Sequence, residues 1–327
     1  MKYAPLGRTG VQVSCIGLGA AAFGVAPLAE DADRLVGRAL DLGINLFDTA
    51  NSYGNQPRFD RPYAPPASAR LSAEEILGRA LGARRREVIL CSKVCEPVGE
   101  GPNQSGLSRL HIMDQVEQSL RRLRTDHIDV YYAHHADPLT PIEESVCAFD
   151  DLIRQGKIRY YALSTFNAWE MTEALWASER CGAHAPVCNQ LSYSLANRAI
   201  EEDVIPACLR FGMTVTAFSP LGGGLLAGEP TLARPLSGAA RWGYEGFSDN
   251  QRALARKFYD VVKGWGLSPA AAALAWLASR PAVSAALVGP ESVEELEAAA
   301  STGDLQLAPA LLEQLEEIGR PEPRSWY

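Results

Sequence analysis

The sequence predicts an α/β protein, a (β/α)8 TIM barrel with an N-terminal β-hairpin and long βα loops. Eight short apolar runs recur along the chain, stretches of helical periodicity separate them, and no Pro/Gly/Ser-rich linker divides the 327 residues. Residues 1–327 therefore read as a single domain, a length that closed α/β barrels routinely reach as one unit.

The elements follow in order. "KYAPL…VQVS" alternates like a small hairpin. The strand-like runs are then "CIGLG" at 15, "INLFD" at 44, "VILCSK" at 88, "IDVYYAHH" at 128, "RYYALS" at 159, "PVCNQ" at 186, "MTVTAFSP" at 213 and "SAALVG" at 284. Between them lie helical patterns such as "SAEEILGRALGA", where Ser72 and Glu75 form a capping-box signature, and "HIMDQVEQSLRRL" from His111. "GLGAAA" at 17–22 satisfies the glycine spacing of a dinucleotide-binding turn. Asp48, however, lies well beyond the acidic position expected about 20 residues on, so in a barrel these glycines make a tight βα turn. The step from the seventh run to the eighth is the longest and must hold an elaborate loop and an additional helix. A second long insertion, "NQPRFDRPYAPPASAR", follows the second run.

Composition excludes several functions. A net charge of −8 without a dense basic cluster argues against nucleic acid as a partner, and "ARRRE" at 83–87 reads as a solvated helix end. "MKYAPLGRTG" has no apolar leader core, and "PAAAALAWLA" near 270 is too short to span a bilayer and reads as a buried helix. No membrane association and a cytoplasmic location are expected. Seven scattered cysteines show no metal-ligand or redox spacing and are read as reduced, mostly buried thiols.

In such a barrel the active site lies where strands end, so polar residues closing apolar runs are the candidates. Asp48, Lys93 and His134 close three consecutive runs; with adjacent strands roughly 4.8 Å apart, their end groups converge within about 10 Å. Tyr53, five residues after Asp48, can fold back over the same mouth. Singly, each has a structural reading as a cap, a loop anchor, a surface charge or a satisfied core imidazole. Jointly they form an acid–base set. A phenol of pKa about 10 becomes a proton donor and acceptor near neutrality only if its phenolate is stabilised. Lys93 would do so, Asp48 would keep Lys93 ionised, and His134 would polarise a carbonyl. The doublet His134–His135 invites a metal reading, but strand alternation lets only one face the mouth, and zinc needs three or four ligands; no metal is expected.

At these residues the chain resembles the aldo-keto reductase superfamily over nearly its whole length. "GINLFDTANSYG", "SKV", "IDVYYAHHAD…TPIEE", "GKIRYYALSTF", "NQLSYS" and "FSPLGGGLLAG" occur in family order at the expected barrel positions. The resemblance implies a nicotinamide-dependent carbonyl reductase or alcohol dehydrogenase acting on a small aldehyde, ketone or sugar. Tyr53 is then the general acid/base, and Asp48, Lys93 and His134 complete the catalytic set. It implies that Ser164 and Gln190 hold the carboxamide and that Phe218 stacks on the nicotinamide. Ser219, Leu221 and Gly223 then grip the pyrophosphate, and Gly289 adds to the cofactor set. It leaves "GLGAAA" as a turn, with Phe23 and Gly24 bordering substrate or nicotinamide. NADPH is the default cofactor. A non-catalytic, cofactor-sensing regulatory subunit is the alternative, since some relatives serve as channel-associated proteins.

Three departures from the family pattern matter. Thr165 stands where Asn often follows the Ser. Glu291, Glu295 and Ala299 replace the Arg or Lys, the Gln or Arg, and the Asn that usually bind the 2′-phosphate and adenine; this makes NADH credible, unless the glutamates point away and Arg234 or Arg241 serves. The insertion from Asn55 to Arg70 either brings Arg58, Phe59, Arg61 and Tyr63 over the substrate or is a passive surface excursion. Trp242, Tyr244 and Phe247 offer another wall.

Overall fold

The computed structural model describes residues 1–61, 64–232 and 246–320. Strands β1 (Tyr3–Pro5) and β2 (Gln12–Ser14) pair antiparallel as the expected hairpin. Eight parallel strands then close into a barrel, each paired with its sequence neighbour and the last with the first: β3 (Ile16–Gly19), β4 (Leu46–Asp48), β5 (Ile89–Val94), β6 (Ile128–Ala133), β7 (Ile158–Ser164), β8 (Cys188–Ser192), β9 (Thr214–Phe218) and β10 (Val283–Val288).

The helices are α1 (Ala29–Asp41), α2 (Ala73–Leu81), α3 (Arg109–Leu123), α4 (Ile142–Arg154), α5 (Ala168–Cys181), α6 (Val204–Phe211), α7 (Glu229–Leu232), α8 (Asp249–Gly264), α9 (Pro269–Ala278), α10 (Val293–Ala300) and α11 (Pro309–Glu316). The capping box at Ser72 and Glu75 starts α2 as the sequence predicts. The "ARRRE" run is a 3-10 segment in which Arg84 pairs with Glu87 and Asp41, a solvated helix end. In α9 the stretch Ala272–Leu277 is buried without interruption. Among the described residues no single helix is long and apolar enough to cross a membrane. All seven cysteines are free thiols; four are buried and Cys181 is exposed.

The hairpin decides which end of the barrel is open. Leu6 and Val13 are fully buried in the barrel interior with Leu46, Cys91, Tyr132 and Leu287. Gly7 N–H donates to Thr214 Oγ1 (2.9 Å) at the start of β9, and Ser284 Oγ donates to the Pro5 carbonyl (2.7 Å) at the start of β10. The N-terminal mouth is thus plugged, and polar chemistry is left the opposite end. The first glycine of "GLGAAA" serves the same interior: a Cβ on Gly17 would lie 2.8 Å from Leu287 Cδ2 and 3.1 Å from Leu46 Cδ2. Its small size makes room in a closed barrel.

The described residues of the 55–70 insertion are fastened down. The buried Arg70 guanidinium donates to the carbonyls of Gly54 (2.9 Å), Gln56 (3.0 Å) and Pro65, and pairs with Asp60 (2.7 Å). Phe59 is buried, with its ring edge-on to Tyr53 at 6.2 Å between centroids.

Candidate active site

At the open end, three consecutive strands and one turn bring four polar side chains together. Asp48 is the last residue of β4, Lys93 the penultimate residue of β5, and His134 follows β6 directly. Tyr53 sits on the turn after β4. Its carbonyl accepts from Ala73 N–H (3.0 Å), and the next residue, Gly54, has φ +89° with no room for a side chain; a Cβ there would lie 2.6 Å from Ala73 N. This glycine lets the turn press against the start of α2.

Lys93 has no exposed surface. Its ammonium pairs with Asp48 Oδ1, donates to the Thr49 carbonyl (2.9 Å) and lies 4.9 Å from the centre of the Tyr53 ring. The Tyr53 hydroxyl is 3.2 Å from His134 Nε2. Burial works against the charged ammonium, but the Asp48 carboxylate, followed by the Tyr53 phenol, outweighs it, and Lys93 is held above its ordinary value. His134 moves the other way. Burial first, then the charges of Lys93, His135 and Arg58, push it well below the usual imidazole range, so the ring is neutral at pH 7.

The later strands are arranged differently. Ser164 Oγ, at the end of β7, is buried without a hydrogen-bond partner, and so is Asn189 Oδ1 on β8. Gln190 donates from Nε2 to Asp48 Oδ2 (2.8 Å), so it is tied to the Asp48–Lys93 pair, a link the sequence did not reveal. Phe218, half-buried, ends β9. In the loop that follows, Ser219 is left-handed (φ +52°), Leu221 is not (φ −101°), and Gly222 and Gly223 are left-handed again (+59° and +69°). Such alternation is the backbone geometry of anion-binding concavities. Gly289 lies exposed just beyond β10.

Phe23 is buried, 1 % exposed, in the main core. Its carbonyl would lie 3.0 Å from a Cβ on Gly54, so the segment braces the tyrosine turn and presents no open ring surface. Tyr63, Trp242, Tyr244, Arg234 and Arg241 lie outside the described residues. Phe247 is half-buried, with the Arg252 guanidinium 6.0 Å from its ring centre. A polar cavity of ≈ 170 Å³ lies beside the tyrosine turn, against Asn51, Asn55, Gln115 and Arg122, and none of the four central residues lines it.

His135 requires a correction. Strand alternation would let only one histidine of the doublet face the mouth, yet the two rings stack in parallel, 4.7 Å apart at 8°. The strand ends at Ala133, so its pleat no longer governs the next two residues. Glu96, whose carboxylate takes His135 Nε2 (2.7 Å) and Arg58 (3.0 Å), was also missed. The signal was present in the acid three residues after Lys93.

At the start of α10, Ser292 caps the helix and Glu295 Oε2 accepts the Glu291 N–H (2.9 Å). Both glutamates are exposed.

A family model described as "Aldo/keto reductase family" matches residues 15–320. The chain belongs to the aldo/keto reductase family. This aldo/keto reductase is similar to an uncharacterized oxidoreductase, YrpG, of Bacillus subtilis (strain 168), with 37% identity covering all of both chains. It is also similar to a probable voltage-gated potassium channel subunit beta of Arabidopsis thaliana (31% identity, 99% of this chain and 98% of that one). A putative subunit of the same description from Schizosaccharomyces pombe (strain 972 / ATCC 24843) matches at 32%, over 96% of this chain and 92% of that one. The family generally uses NAD(P)H and acts on small carbonyl compounds, and membership supports an oxidoreductase.

Proposed function

We propose that this aldo/keto reductase transfers hydride between a nicotinamide dinucleotide and the carbonyl/alcohol pair of a small aldehyde, ketone or sugar, with Tyr53 as general acid and base. One observation carries the reading: a fully buried ammonium, paired with a carboxylate, stands beside a phenol bonded to a neutral imidazole. The attraction between the Tyr53 phenolate and the Lys93 ammonium is among the causes that raise Lys93, and the same attraction favours ionisation of the phenol. Tyr53 can then give its proton to a carbonyl oxygen and take it back in the reverse direction. Asp48, held by Gln190, keeps the ammonium charged. His134 is neutral and polarises the carbonyl as a hydrogen-bonding partner without competing as the acid.

A bound nicotinamide dinucleotide supplies or accepts the hydride. The residues present fit such a group, because Ser164 Oγ and Asn189 Oδ1 are buried polar atoms that still need partners. We assign the carboxamide to Ser164 and Gln190, the ring face to Phe218, and the phosphates to Ser219, Leu221 and Gly223, with Gly289 across from them. Phe23 supports the tyrosine turn from behind.

NADPH is the default cofactor in this reading, and the start of α10 makes NADH a credible one. A helix N-terminus is ordinarily ready for a phosphate. At α10 the chain's own Glu295 carboxylate already takes the Glu291 N–H, and a 2′-phosphate carrying nearly two negative charges would meet that carboxylate there.

A second reading, a cofactor-sensing regulatory subunit without turnover, is supported by the channel-subunit descriptions of two relatives. Oxidation of NADH and NADPH, followed by absorbance across a panel of aldehydes, ketones and sugars, separates the possibilities. Turnover is expected, with NADH used at a kcat/KM at least comparable to that of NADPH. A strong NADPH preference would defeat the electrostatic argument. Nicotinamide binding with no turnover on any substrate would favour the second reading.

A further inference from the structure

His134 lacks the bond that usually orients a functional imidazole. One ring nitrogen, Nε2, meets the Tyr53 hydroxyl at 3.2 Å; the other, Nδ1, is buried with no hydrogen-bond partner. In most sites the partner of the second nitrogen sets both tautomer and ring plane. Here the flat face of His135 lies against the ring instead, 4.7 Å away and nearly parallel.

His135 is itself held at both ends. Its Nε2 meets Glu96 Oε1 at 2.7 Å, and its Nδ1 meets Thr165 Oγ1 at 2.7 Å. The Thr165 hydroxyl also lies 2.7 Å from the Ser164 carbonyl and 3.2 Å from the His134 carbonyl, so it is tied to the same strand ends as His135. The other oxygen of Glu96 is bound by Arg58, which also reaches Ser52 Oγ at 3.2 Å, and this fixes the carboxylate. The pattern gives Thr165 a role too. Its backbone is left-handed (φ +58°), uncommon for a β-branched residue, and its hydroxyl is turned into this network.

We propose that His135 is a positioning residue: clamped between Glu96 and Thr165, it serves as the flat plate that fixes the ring of His134 towards Tyr53. The clamp draws on the ends of β5, β6 and β7, so it sets the imidazole relative to three strands at once. Its catalytic consequence rests on the hydride-transfer reading above; its structural claim does not.

Two arms test it on the full-length protein. In the first, NOE contacts between the His134 and Tyr53 rings are read by NMR with no substrate present. The parent should show one His134 ring orientation, while His135→Ala and His135→Gln, which both lack the flat ring, should show averaging over several. In the second, steady-state kinetics should give His135→Ala a kcat lower by about 10-fold with KM within about 2-fold, the pattern of a misplaced group. Glu96→Ala should lose less, in the same direction. The double variant Glu96→Ala/His135→Ala should be no worse than His135→Ala, because Glu96 acts through His135. An unchanged His134 ring orientation in both His135 variants, or a double variant that loses the product of the single losses, overturns the proposal. Parent-level turnover in Tyr53→Phe would instead sink the hydride-transfer reading and leave the NMR arm standing.

Discussion

The early and late halves of the barrel mouth differ in how their polar groups are satisfied. On the side of β4, β5 and β6, Asp48, Lys93, Tyr53 and His134 are buried and mutually engaged, ammonium on carboxylate and phenol on imidazole, although His134 Nδ1, Thr49 Oγ1 and Asn51 Oδ1 have no hydrogen-bond partner there. On the side of β7 and β8, Ser164 Oγ and Asn189 Oδ1 are equally buried and engaged with nothing. A buried ion pair is held by the fold itself, and removing one partner leaves an uncompensated charge. A buried hydroxyl without a partner is a standing cost that a ligand can relieve. The first half therefore reads as chemistry assembled in advance, the second as a receptor still to be filled. Gln190 joins them, since it sits on a late strand and donates to Asp48.

The sharpest way to break this contrast is Lys93→Met. It leaves Asp48 buried without its counter-charge, so unfolding in urea should show a loss of about 3–5 kcal/mol. Turnover should fall by roughly 10²–10⁴-fold, the range of a lost acid–base contribution. Loss of activity with unchanged stability would mean that the pair is not prearranged.

Ser164→Ala is the matching test on the late side. The hydroxyl has no partner in the free protein, so its removal should leave the melting temperature level or raise it. Affinity for the reduced nicotinamide, titrated by fluorescence, should weaken by roughly 5- to 10-fold, as expected for one hydrogen bond of about 1 kcal/mol. A clear drop in melting temperature would place Ser164 among the structural residues.

A smaller effect is expected from pH. His134 is held well below the ordinary imidazole value of about 6.5 in the folded protein, so the unfolded chain binds a proton that the folded one refuses. Its contribution to stability is complete above about pH 6.5 and declines as pH falls below that, by at most about 1.4 kcal/mol per pH unit. Urea unfolding at pH 5 and pH 7 should show a smaller difference in His134→Gln than in the parent. An equal difference would mean that His134 is not held neutral.

Much of this was legible in the sequence. Each barrel strand is a short apolar run, and Asp48, Lys93 and His134 stand out because each is a polar residue at or just beyond the end of such a run. The charge reversal at Glu291 and Glu295 was equally visible. Contacts that depend on closing the ring were not. Gln190 lies 142 positions from Asp48, and nothing local announces their bond. Gly17 looks like part of a phosphate turn until the side chains of Leu46 and Leu287 are seen to fill the space beside it. His135 was discounted by a periodicity that stops one residue before the doublet, and the burial of Phe23 against the tyrosine turn cannot be read from its neighbours in sequence.

The most direct measurement compares Tyr53→Phe with the parent, with carbonyl reduction and binding of the reduced nicotinamide measured on the same preparations. The substitution removes one oxygen and leaves the ring against Phe59. Turnover should fall by about 10²–10⁴-fold while cofactor affinity stays within roughly 3-fold. Reduction at the parent rate would contradict the assignment of Tyr53 as the proton donor, and with it the function proposed for the site.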